Sequence, residues 1–141
     1  MIDVKVKGER FERELVNMFW DEGFAATRTP ASGSMSYPSP DIIAGNGKRY
    51  LAIEVKMRSN LPVYIPKQDI DNLIRFSERF GAEPYVAIKI KKMGWRFFKV
   101  DQLKETRGGF KVDESNFYSG FDFKGLIGLK QLKLIDYSHN E

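Results

Sequence analysis

Apolar residues recur along the chain with two periods, and the places where the period changes mark its elements. From Gly8 to about Glu22, Phe11, Leu15, Met18, Phe19 and Trp20 fall at helical spacing, and Gly23 follows as a stop, which predicts an amphipathic helix. Phe24 to Arg28 reads as a short strand, and residues 29–40, TPASGSMSYPSP, read as a loop. Two β-rich runs, DIIAG and KRYLAIEVK, flank Asn46-Gly47 and predict an antiparallel hairpin. Pro66 opens a second helix whose Ile70, Leu73, Ile74, Ser77 and Phe80 keep helical spacing up to Gly81. PYVAIKI and WRFFKV then predict two strands joined by a turn at Lys92-Met93-Gly94. The order helix, hairpin, helix, strands predicts an α/β fold with a mixed β-sheet flanked by helices. Its core should run from about residue 8 to 101 in a single domain of residues 1–141. Residues 102–141 are then a C-terminal extension, with turns at GGF and SGF and a final helix or strand in GLIGLKQLKLIDY.

Composition narrows the chemistry. The 141 residues fit one core, since domains commonly hold ~100–150 residues. No apolar run approaches the ~18 residues of a spanning helix, and MIDVKVKGER lacks the apolar core of a signal peptide, so an intracellular location is expected. With no cysteine and one histidine, His139, thiolate metal sites and histidine-based triads are set aside. Catalysis would have to rest on carboxylates, lysine, arginine, serine or a metal. A net charge of +4 favours a polyanionic partner without naming it.

The hairpin concentrates the candidate residues. Alternation puts Tyr50, Ala52, Glu54 and Lys56 on one face of its second strand and Leu51, Ile53 and Val55 on the other. Charges in a core-like strand are costly to desolvate unless a partner or a metal meets them. Asp41 begins the first strand, so the crossing at Asn46-Gly47 returns it towards Glu54. Two carboxylates and a lysine suit phosphodiester hydrolysis, with hard oxygen ligands for Mg²⁺ and an ammonium to orient water or offset developing charge. At about 100° per residue, Glu12 falls inside the apolar arc of Phe11, Leu15, Val16 and Phe19 and should face the sheet, whereas Glu14 and Asp21 should face solvent.

Pro40-Asp41, a gap of twelve residues, then Glu54-Val55-Lys56 resembles the PD-(D/E)xK nuclease signature. With KGERFERELVNMF, GFAATR, SPDIIAGNGKRYLAIEVK, DIDNLIRFSERFG, PYVAIKI and GWRFFKV, the first hundred or so residues resemble the archaeal Holliday-junction resolvases. The resemblance implies a restriction-endonuclease-like core and a homodimer that makes paired Mg²⁺-dependent nicks in four-way DNA junctions, with Mn²⁺ able to substitute. It assigns Glu12, Asp41 and Glu54 to the metal site and Lys56 to catalysis, with the Val55 carbonyl as a further ligand. Arg13 and Arg28 match basic residues of substrate handling or catalysis, and Ser34 lies in the family's loop beside the site. The tail after Asp101 matches little.

Around this centre, Lys5, Lys7, Lys48, Arg49, Arg58, Lys67, Arg75 and Arg79 are candidates for phosphate contacts, against the blander reading of ordinary surface charge. Phe76 leaves the inner stripe of its helix and is a packing residue or a contact to a partner subunit or an unstacked base. Gln131, Leu134 and Tyr137 carry a partial match to a sliding-clamp-binding peptide that lacks its second aromatic. Other nucleases of the same superfamily acting on duplexes, flaps or ends, a catalytically silent DNA-binding protein of the same fold, and a protein-interaction domain are the alternative readings.

Overall fold

A computed structural model describes residues 4–30 and 37–128, with side chains from residue 8 onward. Helix α1 (Val4–Asp21) is followed by β1 (Ala25–Arg28), β2 (Ile42–Gly45), β3 (Tyr50–Arg58), β4 (Val63–Pro66), α2 (Lys67–Phe80), β5 (Glu83–Ile90), β6 (Gly94–Phe98), β7 (Lys104–Thr106) and β8 (Gly109–Val112). Five strands form a sheet in the order β1-β2-β3-β5-β6, and the remaining three form a second sheet, β4-β8-β7. Only β3 and β5 run parallel in the large sheet, Glu54 lying opposite Val86 and Lys56 opposite Ile88. Parallel neighbours need a crossover, which β4 and α2 supply. The result is the mixed sheet with flanking helices that the pattern of residues predicts.

The alternation along β3 divides the interior into two layers. Leu51 and Ile53 pack with Leu15 and Phe19 of α1, with Phe24, Ile42, Tyr85, Ala87, Phe97 and Leu126 completing that layer. Ala52 faces the other way, into a layer of Val86, Ile88, Phe98, Ile70 and Leu73 that also takes in Val63, Ile65, Val112 and Phe117. Each buried aliphatic or aromatic side chain contributes about 1.5–3 kcal/mol, and here a register slip of one residue would exchange the two layers. Chain beyond Asp101 thus supplies core residues to both sides, Leu103, Val112 and Phe117 to one and Leu126 to the other.

The helices depart from their expected faces in three places. Glu14 is not turned to solvent: it accepts hydrogen bonds from Lys89 Nζ at 2.8 Å and Trp95 Nε1 at 3.0 Å. Lys89 and Trp95 are cross-strand partners on β5 and β6, so both donors lie beneath α1. Asp21 is exposed as expected. On α2, Phe80 is exposed while Phe76 is half-buried, the two rings stacking 5.1 Å apart. The helix ends there because Gly81 adopts the left-handed conformation, φ 86°, and its N–H returns to the Ser77 carbonyl.

Arg49 is also not where a phosphate-binding residue would be. Its side chain is buried, and its guanidinium grips Glu83 through Nε at 3.0 Å and Nη2 at 3.1 Å while Nη1 donates to the Leu126 carbonyl at 2.6 Å. Such a two-pronged, charge-assisted pair ties the hairpin turn to the start of β5 and to the helical residues 123–128. Arg49→Ala would leave Glu83 and a backbone carbonyl without their donor. A loss of about 3 kcal/mol is expected in chemical denaturation, with no change in the salt dependence of DNA binding by the folded variant.

Candidate active site

Asp41 sits one residue before β2 and is fixed from both sides. Its N–H donates to the Ile53 carbonyl at 3.0 Å, and its own carbonyl accepts from Thr29 N–H at 3.0 Å. The Thr29 hydroxyl also donates to the Pro40 carbonyl. The Asp41 carboxylate then reaches across to β3, where Oδ2 accepts the Val55 N–H at 2.7 Å. Glu54 precedes Val55, and Lys56 follows it on the Glu54 face. The hairpin therefore brings together Asp41, Glu54 and Lys56, as the spacing predicts.

The ammonium of Lys56 lies 3.3 Å from Glu54 Oε2 and 2.7 Å from Asp69 Oδ2, with the Lys56 and Glu54 side chains only 16% and 17% exposed. Asp69 was not among the expected site residues. Its signal is nevertheless present, since Asp69, Leu73 and Ser77 fall four residues apart along α2 and the latter two are buried.

Three carboxylates thus face one ammonium. Burial is the main reason that Asp41 is pushed up to about 6, the Val55 amide and Lys56 opposing the rise and Glu12 and Asp69 adding to it. Burial likewise pushes Glu54 up to about 7, aided by Asp41 and opposed by Lys56. Burial disfavours the Lys56 ammonium, but Asp69 and Glu54 outweigh it and hold its pKa above the ordinary lysine value. A half-buried carboxylate pair with too little positive charge beside it is the donor set that a hard divalent cation fits. Among the described residues no three carboxylates are grouped as a metal-holding cluster. Mg²⁺ does not require one, because it usually keeps several waters and takes one or two protein carboxylates.

The remaining candidates divide. Glu12 does face the sheet, half-buried, but it accepts from Arg28 Nε at 3.1 Å, and Arg28 also lies 3.9 Å from Glu9. Arg13 is exposed and pairs loosely with Glu9 at 3.7 Å. Arg58 continues the Glu54–Lys56 face of β3 and is exposed, as are Lys67, paired with Asp71, and Arg75 on α2. Lys48 is exposed in the hairpin turn, at the far end of β3 from Glu54; Tyr50, nearer than Lys48, is already about 13 Å along the strand. Arg49 is buried in its structural pair. Ser34, Lys5 and Lys7, and the clamp-like Gln131, Leu134 and Tyr137, lie outside the described side chains.

The profile of the archaeal Holliday junction resolvase (Hjc) family matches residues 3–135. The crossover junction endodeoxyribonuclease Hjc of Archaeoglobus fulgidus is 48% identical over 125 residues, 89% of this chain and 92% of that protein. That of Methanocaldococcus jannaschii is 41% identical over 132 residues, 92% of this chain and 94% of its own. The solved structure of A. fulgidus Hjc superposes with a TM-score of 0.81 at 47% identity, covering 84% of this chain and 98% of that one. The match at fold level extends the mixed sheet and its helices to a restriction-endonuclease-like architecture.

The raised carboxylates have a signed consequence for stability without metal. Between their ordinary values, 3.8 and 4.5, and their folded values of about 6 and about 7, the folded chain holds protons that the unfolded chain has lost. Stability should therefore fall as pH rises from about 4 to about 7. Thermal melts in chelator should show this fall. Glu54→Gln should flatten it and should be more stable than the parent at pH 8 by up to about 3 kcal/mol, the rise from 4.5 to about 7 taken at about 1.4 kcal/mol per pKa unit.

Proposed function

Because the chain belongs to the archaeal Holliday junction resolvase family, and is by that membership a DNA endonuclease of the crossover-junction class, we propose that Asp41, Glu54 and Lys56 form its cleavage centre. The observation that carries this reading is the Asp41 carboxylate held on the Val55 amide beside Glu54 and Lys56. Asp41 and Glu54 would hold Mg²⁺, or Mn²⁺ in its place, with the Val55 carbonyl as a further ligand and Glu12 close enough to adjust the charge of Asp41. When bound, the ion supplies Lewis acidity at the phosphate and a more acidic water.

The chain's own residues do the rest. Lys56 keeps its proton, so it acts as a donor that orients the attacking water and offsets charge on the phosphorane-like oxygens. Arg28, anchored by Glu12, stands at the end of β1 where the substrate backbone would pass. Arg58, Lys67 and Arg75 extend exposed positive charge outward from the site, and Arg13 does so from α1. Arg49 is withdrawn from this set and Lys48 is remote from the centre. A role for Ser34 rests on the resemblance alone.

Resolution in one encounter needs two centres, hence a homodimer. Support for a self-association surface comes from the exposed Tyr37, Phe80 and Trp20, which with half-buried Phe76 and Pro38 make an apolar patch rimmed by Arg75 and Arg79. A sliding clamp as a further partner rests on the incomplete peptide alone. No described helix is long and apolar enough to cross a membrane. We place the protein inside the cell with the chromosome, where branched DNA arises.

The test uses a supercoiled plasmid extruding a cruciform and a matched plasmid without one, with Mg²⁺ or chelator. Coordinated cleavage should linearise only the cruciform plasmid, only with metal, and Glu54→Ala should abolish it. Phe76→Ala/Phe80→Ala should shift the product from linear to nicked circles. Cutting of the plain plasmid at an equal rate would instead identify a nuclease of other specificity.

A further inference from the structure

Lys56 is a long side chain with four rotatable bonds, so a role beside Asp41 and Glu54 requires something to hold its ammonium. Glu54, two residues away on the same strand face, approaches its Nζ at 3.3 Å, but the shorter contact is the 2.7 Å bond to Asp69 from the facing helix. We propose that Asp69 is a positioning residue for cleavage, holding the Lys56 ammonium in its working orientation; the proposal rests on the reading of Lys56 as catalytic.

Asp69 is the third residue of α2, the position from which a carboxylate commonly reaches back to the backbone N–H of the residue that caps the helix. Here that residue is Pro66, which has no N–H and makes no side-chain cap. The carboxylate is released from capping, and its hydrogen bond among the described residues goes to Lys56. Contrast the neighbouring Lys67–Asp71 pair on the same helix, whose side chains are 71% and 57% exposed. Asp69 is also firmly placed. Leu73 and Ser77 of its stripe are buried. Lys67 N–H donates to the Gly108 carbonyl at 3.1 Å, and a Cβ on Gly109 would meet the Ile65 carbonyl at 2.3 Å, so β8 is pressed against the start of the helix. The second sheet thereby fixes the end of α2 from which Asp69 reaches the site.

A residue that acts through Lys56 is separable from a helix stabiliser and from a metal ligand. Wild type, Asp69→Asn, Asp69→Glu, Lys56→Ala and Lys56→Ala/Asp69→Asn are compared by single-turnover cleavage of a four-way junction at saturating protein. Junction affinity in chelator, half-saturating Mg²⁺ and melting temperature are measured beside it. Asp69→Asn should lose about 10- to 100-fold in rate, the scale of misplacing a reacting group by about 1 Å. Junction affinity and half-saturating Mg²⁺ should hold within about twofold, and Asp69→Glu should recover part of the rate. The double variant should be no slower than Lys56→Ala, because the two losses are one. Wild-type rates in Asp69→Asn beside a slow Lys56→Ala would overturn the proposal and leave the role of Lys56 standing. Losses that multiply in the double variant would overturn it in favour of a merely structural Asp69, and a raised Mg²⁺ requirement in favour of a metal ligand. Wild-type cleavage by Lys56→Ala would remove the underlying reading itself.

Discussion

Two hydrogen bonds lock Asp41 to β3, its N–H to the Ile53 carbonyl and its carboxylate to the Val55 N–H, and the geometry of the site follows from them. A strand has one amide per residue and side chains that alternate, so a carboxylate bonded to the Val55 amide is fixed next to Glu54 and Lys56 without any long-range coincidence. The hairpin register, Ile42 opposite Ile53, and Thr29, the residue after β1, hold the remaining freedom of Asp41. A one-residue slip would point Glu54 and Lys56 into the layer packed against α1 and would bury them among Leu15, Phe19 and Phe97. The core that stabilises the fold therefore also enforces the geometry of the site.

The same arrangement carries a cost of its own. Two carboxylates are desolvated side by side, with Lys56 shared between Glu54 and Asp69. Such strain is found where function requires it and is offset elsewhere. Part of the offset is visible in the Arg49–Glu83 pair and its bond to Leu126, which fasten the end of the hairpin remote from the site. A bound divalent cation would remove the penalty at its source, which links occupancy of the site to stability of the fold.

What was legible in the residues is what depends on local period and spacing. The hairpin, the alternation along β3, both helices and the convergence of Asp41, Glu54 and Lys56 all follow from patterns a few residues long. The misses depend on which element lies opposite. Glu14 falls on the solvent side of α1 by period alone, and only β5 and β6 put Lys89 and Trp95 under it. Arg49, in a polar turn, reads as surface charge, and only the distant Glu83 and the chain near Leu126 bury it. Asp69 is an ordinary first-turn acid until α2 is laid across β3. The β4-β8-β7 sheet escaped because its strands are three or four residues long and β4 joins the β7-β8 hairpin across more than forty residues.

The central claim is that the Asp41–Glu54 pair is a divalent-cation site. Crystals equilibrated with Mn²⁺ and measured at an anomalous wavelength test it most directly. The account predicts a strong anomalous peak about 2 Å from both carboxylates, lost in Asp41→Asn/Glu54→Gln. A fully occupied Mn²⁺ elsewhere with none between Asp41 and Glu54, at a pH above 7 where both are ionised, would contradict it.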